Sequence, residues 1–302
     1  MRVLVLGGYG AVGRPLVELL RAGGDTVLVA GRDAARADVV VDLAAPELDS
    51  YRAAARSADV VVNASGAEDP RLAELAGAPF VDVTASTEYV ARLRESSPAQ
   101  PVIVDVGLAP GLTNLLVSAL APAGPVDLAV LLGAGERHGA AATAWTYGLL
   151  GRHFTADDGI VRNFSRPKAF DLPGYGRRRL YRADFSDQHT LTRDLGVPVR
   201  TYFGVDSRLA TAGLAALTWV PGAARMPRGL RFPGSDHWML LARADSGSAL
   251  WARGRNQSRA TAVLAAAAVR RTRHLAAGVY PLHRIMTLDD LGSGAGVEFG
   301  RL

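Results

Sequence analysis

The sequence predicts a doubly wound α/β protein with a parallel sheet, followed by a second domain of α+β type. Three observations lead there. The first 120 residues alternate short β-branched runs with amphipathic runs. A glycine-rich turn separates the first such strand from the first helix. After Pro122 the chain becomes rich in Arg, Pro and aromatic residues, and the regular alternation stops.

The elements follow in order. Val3–Leu6 is a short apolar strand and Ala11–Ala22 the helix after it. Thr26–Ala30 and Val39–Val41 are the next strands, the latter ending at Asp42. Leu48–Ser57 is a helix and Val60–Val62 a fourth strand. Pro70–Ala76 starts a helix with proline in its first turn, where the missing N–H costs nothing. Phe80–Val83 and Pro101–Val106 are strands, with helices at Glu88–Ser96 and Gly111–Leu120. Near-continuous apolar strands alternating with helices mean a parallel sheet covered on both faces. Beyond Pro122, Val126–Leu132 is a strand and Ala140–Leu150 a helix. Arg178–Arg182, Arg200–Val205 and Met239–Ala244 are candidate strands of a more antiparallel sheet. Thr261–Ala276 is a long alanine-rich helix broken by Gly278; its small side chains suit close packing against the first domain's helices.

Composition excludes several classes. With 302 residues, 49% hydrophobic and 21% charged, the chain has enough apolar material for a core and is neither disordered nor fibrous. The mean hydropathy of +0.11 comes from alanine. The longest fully apolar stretch, Ala262–Val269, falls far short of the ~18–20 residues a span needs, so no membrane is expected. Val3–Leu6 runs straight into glycines, unlike a signal peptide. No cysteine is present, which excludes disulfides and thiolate chemistry. A cytoplasmic location follows as the expectation. No His-x-x-x-His or carboxylate cluster argues for a metal.

Of 34 basic residues 33 are Arg; Lys168 alone is Lys. It precedes Ala169, so no Walker loop exists. Phe164 stands four residues before it, so the Tyr-x-x-x-Lys proton donor of short-chain dehydrogenases is absent, and a Schiff base would have to use Lys168. Residues 1–122 carry 10 basic and 15 acidic groups, and residues 123–302 carry 24 and 14. No basic stripe interleaved with aromatics appears, so nucleic acid is not expected. Arg177-Arg178-Arg179 is either a solvated strand edge or a binding face for an anionic substrate or an acidic carrier protein.

The strongest motif is Gly8-Tyr9-Gly10-Ala11-Val12-Gly13. It follows a strand and opens a helix, as a Rossmann dinucleotide-binding turn does. Gly8 is expected to make the tight turn, Gly10 to admit a pyrophosphate, and Gly13 to let helix and strand pack closely. The helix N-terminus offers free N–H groups and a partial positive charge. The second strand ends at Ala30-Gly31-Arg32-Asp33. An arginine at that tip pairs a 2′-phosphate through its fork, favouring NADP (NADPH) over NAD, with Asp33 as the competing selector. Asp42 either caps an adenine pocket or caps a turn. Asn63-Ala64-Ser65-Gly66 closes the fourth strand and Thr84-Ala85-Ser86 the fifth, small residues across which a cofactor lies. Gly107-Leu108-Ala109-Pro110-Gly111 closes the sixth, where a nicotinamide ring would reach.

These residues, with Val60–Gly66, Phe80-Val81-Asp82-Val83-Thr84 and Gly107–Asn114, resemble the saccharopine dehydrogenase-like oxidoreductases. Gly139-Ala140-Ala141-Ala142-Thr143 loosely matches a small-residue turn of that family. The resemblance covers residues 1–120, and it departs where the family often has Gly-Glu after the fifth strand and this chain has Ala85-Ser86-Thr87-Glu88. It implies a Rossmann domain over residues 1–122 completed by 258–302, with 123–257 an inserted α+β substrate and dimerisation domain, hence a homodimer. It further implies NAD(P)-linked oxidation or reduction of C–N bonds, in biosynthesis.

Hydride transfer belongs to the cofactor, and the protein must manage a proton. Tyr147 and His138 are the candidate catalytic residues, with Trp145 placed to stack on an iminium; core aromatics and a capping histidine are the plain alternatives. Asp184 and His189 flank a segment that is either a carboxylate–histidine relay or a helix N-cap by Ser186 or Asp187. The expected function is NADPH-dependent reduction of a C=N bond in a small carboxylate-bearing substrate, an imine reductase. The alternatives are a carbonyl reductase, including one acting on a carrier-bound group, and a non-catalytic NADP-binding sensor.

Overall fold

The computed structural model describes residues 1–135, 140–225, 234–291 and 296–302. In chain order the elements are β1 (Arg2–Leu6), α1 (Gly13–Ala22), β2 (Thr26–Gly31), β3 (Val39–Val40), α2 (Asp49–Ala55), β4 (Val60–Asn63), α3 (Arg71–Leu75), β5 (Phe80–Asp82), α4 (Thr87–Glu95), β6 (Pro101–Val104) and α5 (Thr113–Leu120). They continue with β7 (Val126–Leu132), α6 (Ala140–Gly148), β8 (His153–Ala156), β9 (Gly159–Arg162), β10 (Ser165–Leu172), β11 (Gly176–Arg182), α7 (Ser186–Leu195), β12 (Val199–Val205) and α8 (Arg208–Leu217). The last are β13 (His237–Ala244), β14 (Ala249–Arg255), α9 (Gln257–Arg271), β15 (Gly278–Pro281) and β16 (Val297–Arg301). Two compact units form, Met1–Leu112 with Thr261–Met286, and Thr113–Ala260 with Thr287–Leu302.

In the first unit the sheet runs β15-β6-β5-β4-β1-β2-β3, with every pairing parallel. Strand order 3-2-1-4-5-6 is that of a Rossmann sheet, and it reverses between β1 and β4. The strands carry the apolar runs that such a sheet requires: all of β4 and β6, and four of the five residues of β1, are buried. Leu4, Leu6, Tyr51, Leu72, Phe80 and Tyr89 belong to the core on one side of it. The helix expected over Thr261–Ala276 ends at Arg271, and the chain becomes extended at Leu275. Its next segment, β15, lies parallel to β6 with Val279 opposite Val102. Four residues containing a glycine and a proline give no strand signal of their own; the exposed ladder of β6 makes them a strand.

Asp25, nearly inaccessible, ties α9 to the turn after α1. Arg270 contacts it at 2.7 and 2.9 Å, and the Met1 ammonium donates to it at 2.9 Å. A Cβ at Gly23 would fall 2.4 Å from the Arg270 guanidinium, so the glycine at the end of α1 makes the approach possible.

In the second unit the sheet order is β10-β11-β12-β7-β13-β14-β16, antiparallel except where β12 meets β7. Leu131, Phe170, Leu180, Tyr202, Met239 and Leu241 build a core on it. Two segments differ from the expected boundaries. The tail strand β16 pairs with β14, Ala252 opposite Phe299, and so joins this sheet. Helix α5 packs on β13 and β14, burying Leu115, Leu116 and Val117, so the boundary falls at Leu112 and not at 122. The strands β8–β10 and β14 and the helices α7 and α8 were not distinguished in the sequence. Asp187 lies in the first turn of α7, after Phe185 at the N-cap position; its carboxylate accepts the Gln188 N–H at 2.7 Å, the Thr113 hydroxyl at 2.7 Å and the Thr201 hydroxyl at 2.8 Å. Among the described residues no helix is long and apolar enough to cross a membrane.

Burial alone pushes Asp25 up, but the Met1 ammonium and Arg270 together hold its carboxyl below the usual aspartate range. A lowered folded-state pKa stabilises the protein above the unfolded value and loses that contribution as pH falls through the folded one. Arg270→Ala should cost about 1–2 kcal/mol at pH 7, because Asp25 is buried while Arg270 is half-exposed. Urea unfolding should show the difference between parent and variant shrinking below about pH 4, the unfolded aspartate value.

Candidate functional site

The carboxyl end of β1 carries the tightest backbone packing described in the first unit. The chain turns at Gly7, whose φ is +71°, and the Gly10 N–H donates to the Gly7 carbonyl at 2.8 Å. That hydrogen bond closes a turn over Gly7–Gly10 with Gly8 and Tyr9 at its centre, and Gly7 enters it at a positive φ, which suits glycine. A Cβ on Gly7 would lie 2.7 Å from Ser65 Cα in the loop after β4. Gly8 is confined by packing, a Cβ there meeting Val29 at 3.0 Å and the Val5 carbonyl at 3.2 Å. At Gly13 a Cβ would sit 2.2 Å from the Gly7 carbonyl oxygen, so only glycine lets α1 begin that close to the strand. At Gly10 the sole neighbour of a Cβ is the Gly7 carbonyl, at 3.0 Å, and the rest is open space. Helix α1 starts with Val12 as its N-cap, no side-chain cap and no acidic residue in its first turn. Ala11 and Val12 lead into it half-buried. In that first turn the Arg14 N–H donates to the Gly10 carbonyl at 3.0 Å and Pro15 carries none, so the Gly13 N–H and the partial positive charge are what the helix start offers an anion.

The tip of β2 borders this turn. A Cβ on Gly31 would lie 2.5 Å from the Tyr9 ring, so Tyr9 lies against it. The Arg36 guanidinium stacks 4.3 Å over the ring and donates to the Tyr9 carbonyl at 3.2 Å. Asp33 is absorbed by its own turn: its carboxylate accepts the Ala35 N–H at 3.0 Å. Arg32 is exposed and makes no side-chain hydrogen bond or ion pair among the described residues. Asp42 caps a turn, accepting the Ala44 N–H at 2.9 Å. Arg36 was missed in the sequence, because only the turn it closes brings it onto Tyr9.

A buried polar network closes the next two strands. Asn63 donates to the Asp82 carboxylate at 2.8 Å and to the Ala67 carbonyl at 2.9 Å. Its own oxygen accepts the Ser65 hydroxyl at 2.6 Å and the Ser65 N–H at 3.2 Å. Asp82 also accepts the Thr84 N–H at 2.7 Å and the Tyr89 hydroxyl at 3.1 Å. Burial pushes Asp82 above the usual carboxylate range, against the hydrogen bonds from Thr84, Asn63 and Tyr89. Burial and the Asp82 charge together push the Tyr89 phenol up. The network pins Ala64 and Ser65 against Gly7. Its Asp82 and Tyr89 were not singled out in the sequence as functional, since an aspartate at a strand end reads as a turn cap.

The loop after β6 is more enclosed than expected. Gly107 and Pro110 are buried, and a Cβ on Gly107 would meet the Pro110 carbonyl at 3.1 Å and the Thr261 side chain at 3.3 Å. Thr261 also accepts the Leu108 N–H at 3.2 Å.

In the second unit Tyr147 is half-buried on α6, and its hydroxyl has no hydrogen-bond partner among the described residues. Trp145 packs edge-on against Phe185 with ring centres 4.7 Å apart. His138 lies outside the described residues. Asp184 and His189 do meet, at 2.8 Å. Lys168 is ion-paired with Asp127 and is not a free amine. Among the described residues no three metal-ligating side chains cluster.

No family model matches the sequence, and no curated protein does. Among solved structures, the chain is similar to a Lactobacillus casei protein at 28% identity, over 37% of this chain and 52% of that one, with a TM-score of 0.20. It is similar to the 3-alpha-hydroxysteroid dehydrogenase from Pseudomonas sp. B-0831, solved with NADH, at 20% identity over 40% of this chain and 52% of that one, with a TM-score of 0.21. A human epimerase family protein solved with NADPH is 19% identical over 50% of this chain and 81% of that one, with a TM-score of 0.23. The chain thus spans about half the length of the first two. The fold assignment rests on strand order, not on these likenesses.

Gly13→Ala places a side chain inside a fixed backbone carbonyl and should cost about 2–3 kcal/mol in urea unfolding, as overpacking does. Gly10→Ala should cost less, because it meets one oxygen at contact distance.

Proposed function

We propose that the chain is an NADPH-dependent reductase of a C=N bond in a small, carboxylate-bearing substrate. One observation supports it above the others: a helix start without a side-chain cap on a glycine turn, at the reversal of strand order, with an arginine beside it that has no ion pair among the described residues. The residues fit a dinucleotide. The backbone of Gly8 to Gly13 would hold the pyrophosphate, with Gly10 leaving it room. Arg32 would pair the 2′-phosphate beside Gly31 and the Tyr9–Arg36 stack. Asp33 is used in its own turn, which supports NADP over NAD. Asn63, Ala64 and Ser65 would form the floor under the rest of the molecule. Gly107 and Pro110, being buried, would shape their loop and not present side chains. Asp42, a turn cap, drops out of this set.

When bound, the nicotinamide supplies a hydride. What remains for the chain is a proton and an orientation. An iminium arrives already protonated and needs enclosure more than a strong acid; a carbonyl needs a donor within about 3 Å. Lys168 is engaged by Asp127, and the Tyr-x-x-x-Lys pair is absent, which supports C=N over C=O. The resemblance to saccharopine dehydrogenase-like enzymes supports the same choice. Tyr147, its hydroxyl unpartnered, is the proposed proton donor, and Trp145 lies two residues before it on α6.

The test is direct. Gly10→Val should abolish NADPH binding by calorimetry with the fold retained. A phosphate fork contributes roughly 1.5–3 kcal/mol, so Arg32→Ala should weaken NADPH ten- to a hundredfold and leave NADH nearly unchanged. Tighter binding of NADH than NADPH by the parent would overturn the role of Arg32. Consumption of NADPH with a cyclic imino carboxylate tests the reaction. Tyr147→Phe should cut turnover at least tenfold on a carbonyl substrate and much less on a preformed iminium.

A further inference from the structure

The side chain of Tyr9, between Gly8 and Gly10, lies on the tip of β2. A Cβ at Gly31 would fall 2.5 Å from the Tyr9 Cε1 and hydroxyl oxygen and 2.6 Å from its Cζ. Any side chain at residue 31 would displace the ring, so the glycine there is its seat. The Tyr9 hydroxyl also accepts the Asp33 N–H at 3.3 Å, and the residue is half-buried.

Arg36 is held on that ring. Its guanidinium carbon lies 4.3 Å from the ring centre, and one of its N–H groups donates to the Tyr9 carbonyl at 3.2 Å. The turn that carries it is closed by the backbone N–H groups of Arg36 and Ala37, both donating to the Asp33 carbonyl at 3.0 Å. A guanidinium has five N–H donors, and a contact over a ring leaves its charge intact. Arg36 is exposed and has no ion pair among the described residues. Arg32, next to Gly31, is likewise exposed and without an ion pair there. The aspartates of this stretch are engaged by backbone donors. Asp33 accepts the Ala35 N–H at 3.0 Å and Asp42 the Ala44 N–H at 2.9 Å. Asp38 accepts the Val29 N–H at 2.9 Å and pairs with Arg21 at 3.4 Å. Two arginines thus belong to one strand tip with their charges unneutralised, one of them held and the other not.

Being held matters to affinity. A free arginine gives up rotamer freedom when it binds an anion, and one already seated gives up less. The tip of β2 is where a Rossmann sheet meets the ribose 2′ position of its nucleotide, and a guanidinium fork suits a phosphate there. We propose that Arg36 is a second 2′-phosphate ligand beside Arg32, and that Tyr9 is the residue that positions it; this rests on reading the glycine turn as a nucleotide site. The turn that leaves room for a pyrophosphate then also sets the choice between NADPH and NADH, through the ring it carries. Adenine stacked on Arg36 would be a different use of the same pair. It would not separate the two nucleotides, because both contain adenine.

NADPH and NADH, each titrated calorimetrically into the full chain, are the probes. The parent should bind NADPH more tightly. Arg36 is exposed, so Arg36→Ala should keep the melting temperature, weaken NADPH about tenfold or more and leave NADH within about twofold. Arg36→Gln serves if the alanine variant does not fold. Arg36→Lys keeps the charge without the planar fork and should recover only part of the loss. Tyr9→Leu removes the ring under Arg36 and should lower the ratio of NADPH to NADH affinity severalfold, whereas Tyr9→Phe keeps the ring and should keep most of the ratio. A general weakening of the turn would act on both nucleotides alike and leave that ratio unmoved. The proposal is overturned if Arg36→Ala retains the parent's ratio, if it weakens both nucleotides equally, or if Tyr9→Leu leaves the ratio intact. A parent that binds neither nucleotide, or prefers NADH, overturns it together with the reading it rests on. A parent that prefers NADPH, with the preference untouched in Arg36→Ala, overturns it alone.

Discussion

The contact of backbone on backbone at Gly7 and Gly13 is the constraint on which the first unit is arranged. A helix whose first Cβ would lie 2.2 Å from a backbone carbonyl oxygen must begin at glycine, and a loop whose Cα lies 2.7 Å from a would-be Cβ must face one. Because those two contacts leave no room for adjustment, the end of β1, the start of α1 and the loop after β4 form one rigid corner. The strand-order reversal places the same corner where β1 has its neighbours on opposite sides. What results is a helix terminus that offers the Gly13 N–H and an open space beside Gly10.

The corner is braced by the buried side chains of Asn63 and Asp82. Asn63 uses both its donor and its acceptor, reaching Asp82, Ala67 and Ser65. Asp82, buried beside it, is oriented by Thr84 and Tyr89. A buried carboxylate without a cation nearby is costly, and such a network holds only when every member is satisfied. That requirement ties the ends of β4 and β5 to each other, and through Ser65 to Gly7. The loop that faces the glycine turn is therefore positioned by a residue two strands away from it.

Electrostatics is organised differently in the second unit. Six of its described arginines, Arg166, Arg182, Arg193, Arg200, Arg253 and Arg255, sit against aspartate or glutamate. At Arg178, Arg208 and Arg162, backbone carbonyl oxygens take the place of carboxylates. A carbonyl aims a guanidinium but leaves its charge intact. The difference between a neutralised and an unneutralised arginine lies in which atom accepts the hydrogen bond.

The sequence by itself determined the Rossmann half, because its signals are local. Apolar runs of four residues, a glycine spacing set by one turn, and helices that begin beside them each follow from neighbours in the chain. Arg32 and Asp33 were both legible at the tip of β2, but only the fold shows one Asp33 oxygen taken up by the Ala35 N–H while Arg32 stays exposed. Arg36 on Tyr9, Asp82 beneath Asn63, and the close approach of Gly7 to Ser65 were decided by contacts across the fold. So were β15 and β16, short segments that became strands because an unpaired ladder was waiting for them. The run Arg177-Arg178-Arg179 was visible as charge, and strand alternation leaves Arg177 and Arg179 exposed with Arg178 half-buried between them. Local propensity and spacing are written in consecutive residues; pairing partners, burial and the neutralisation of charge are set only when distant segments meet.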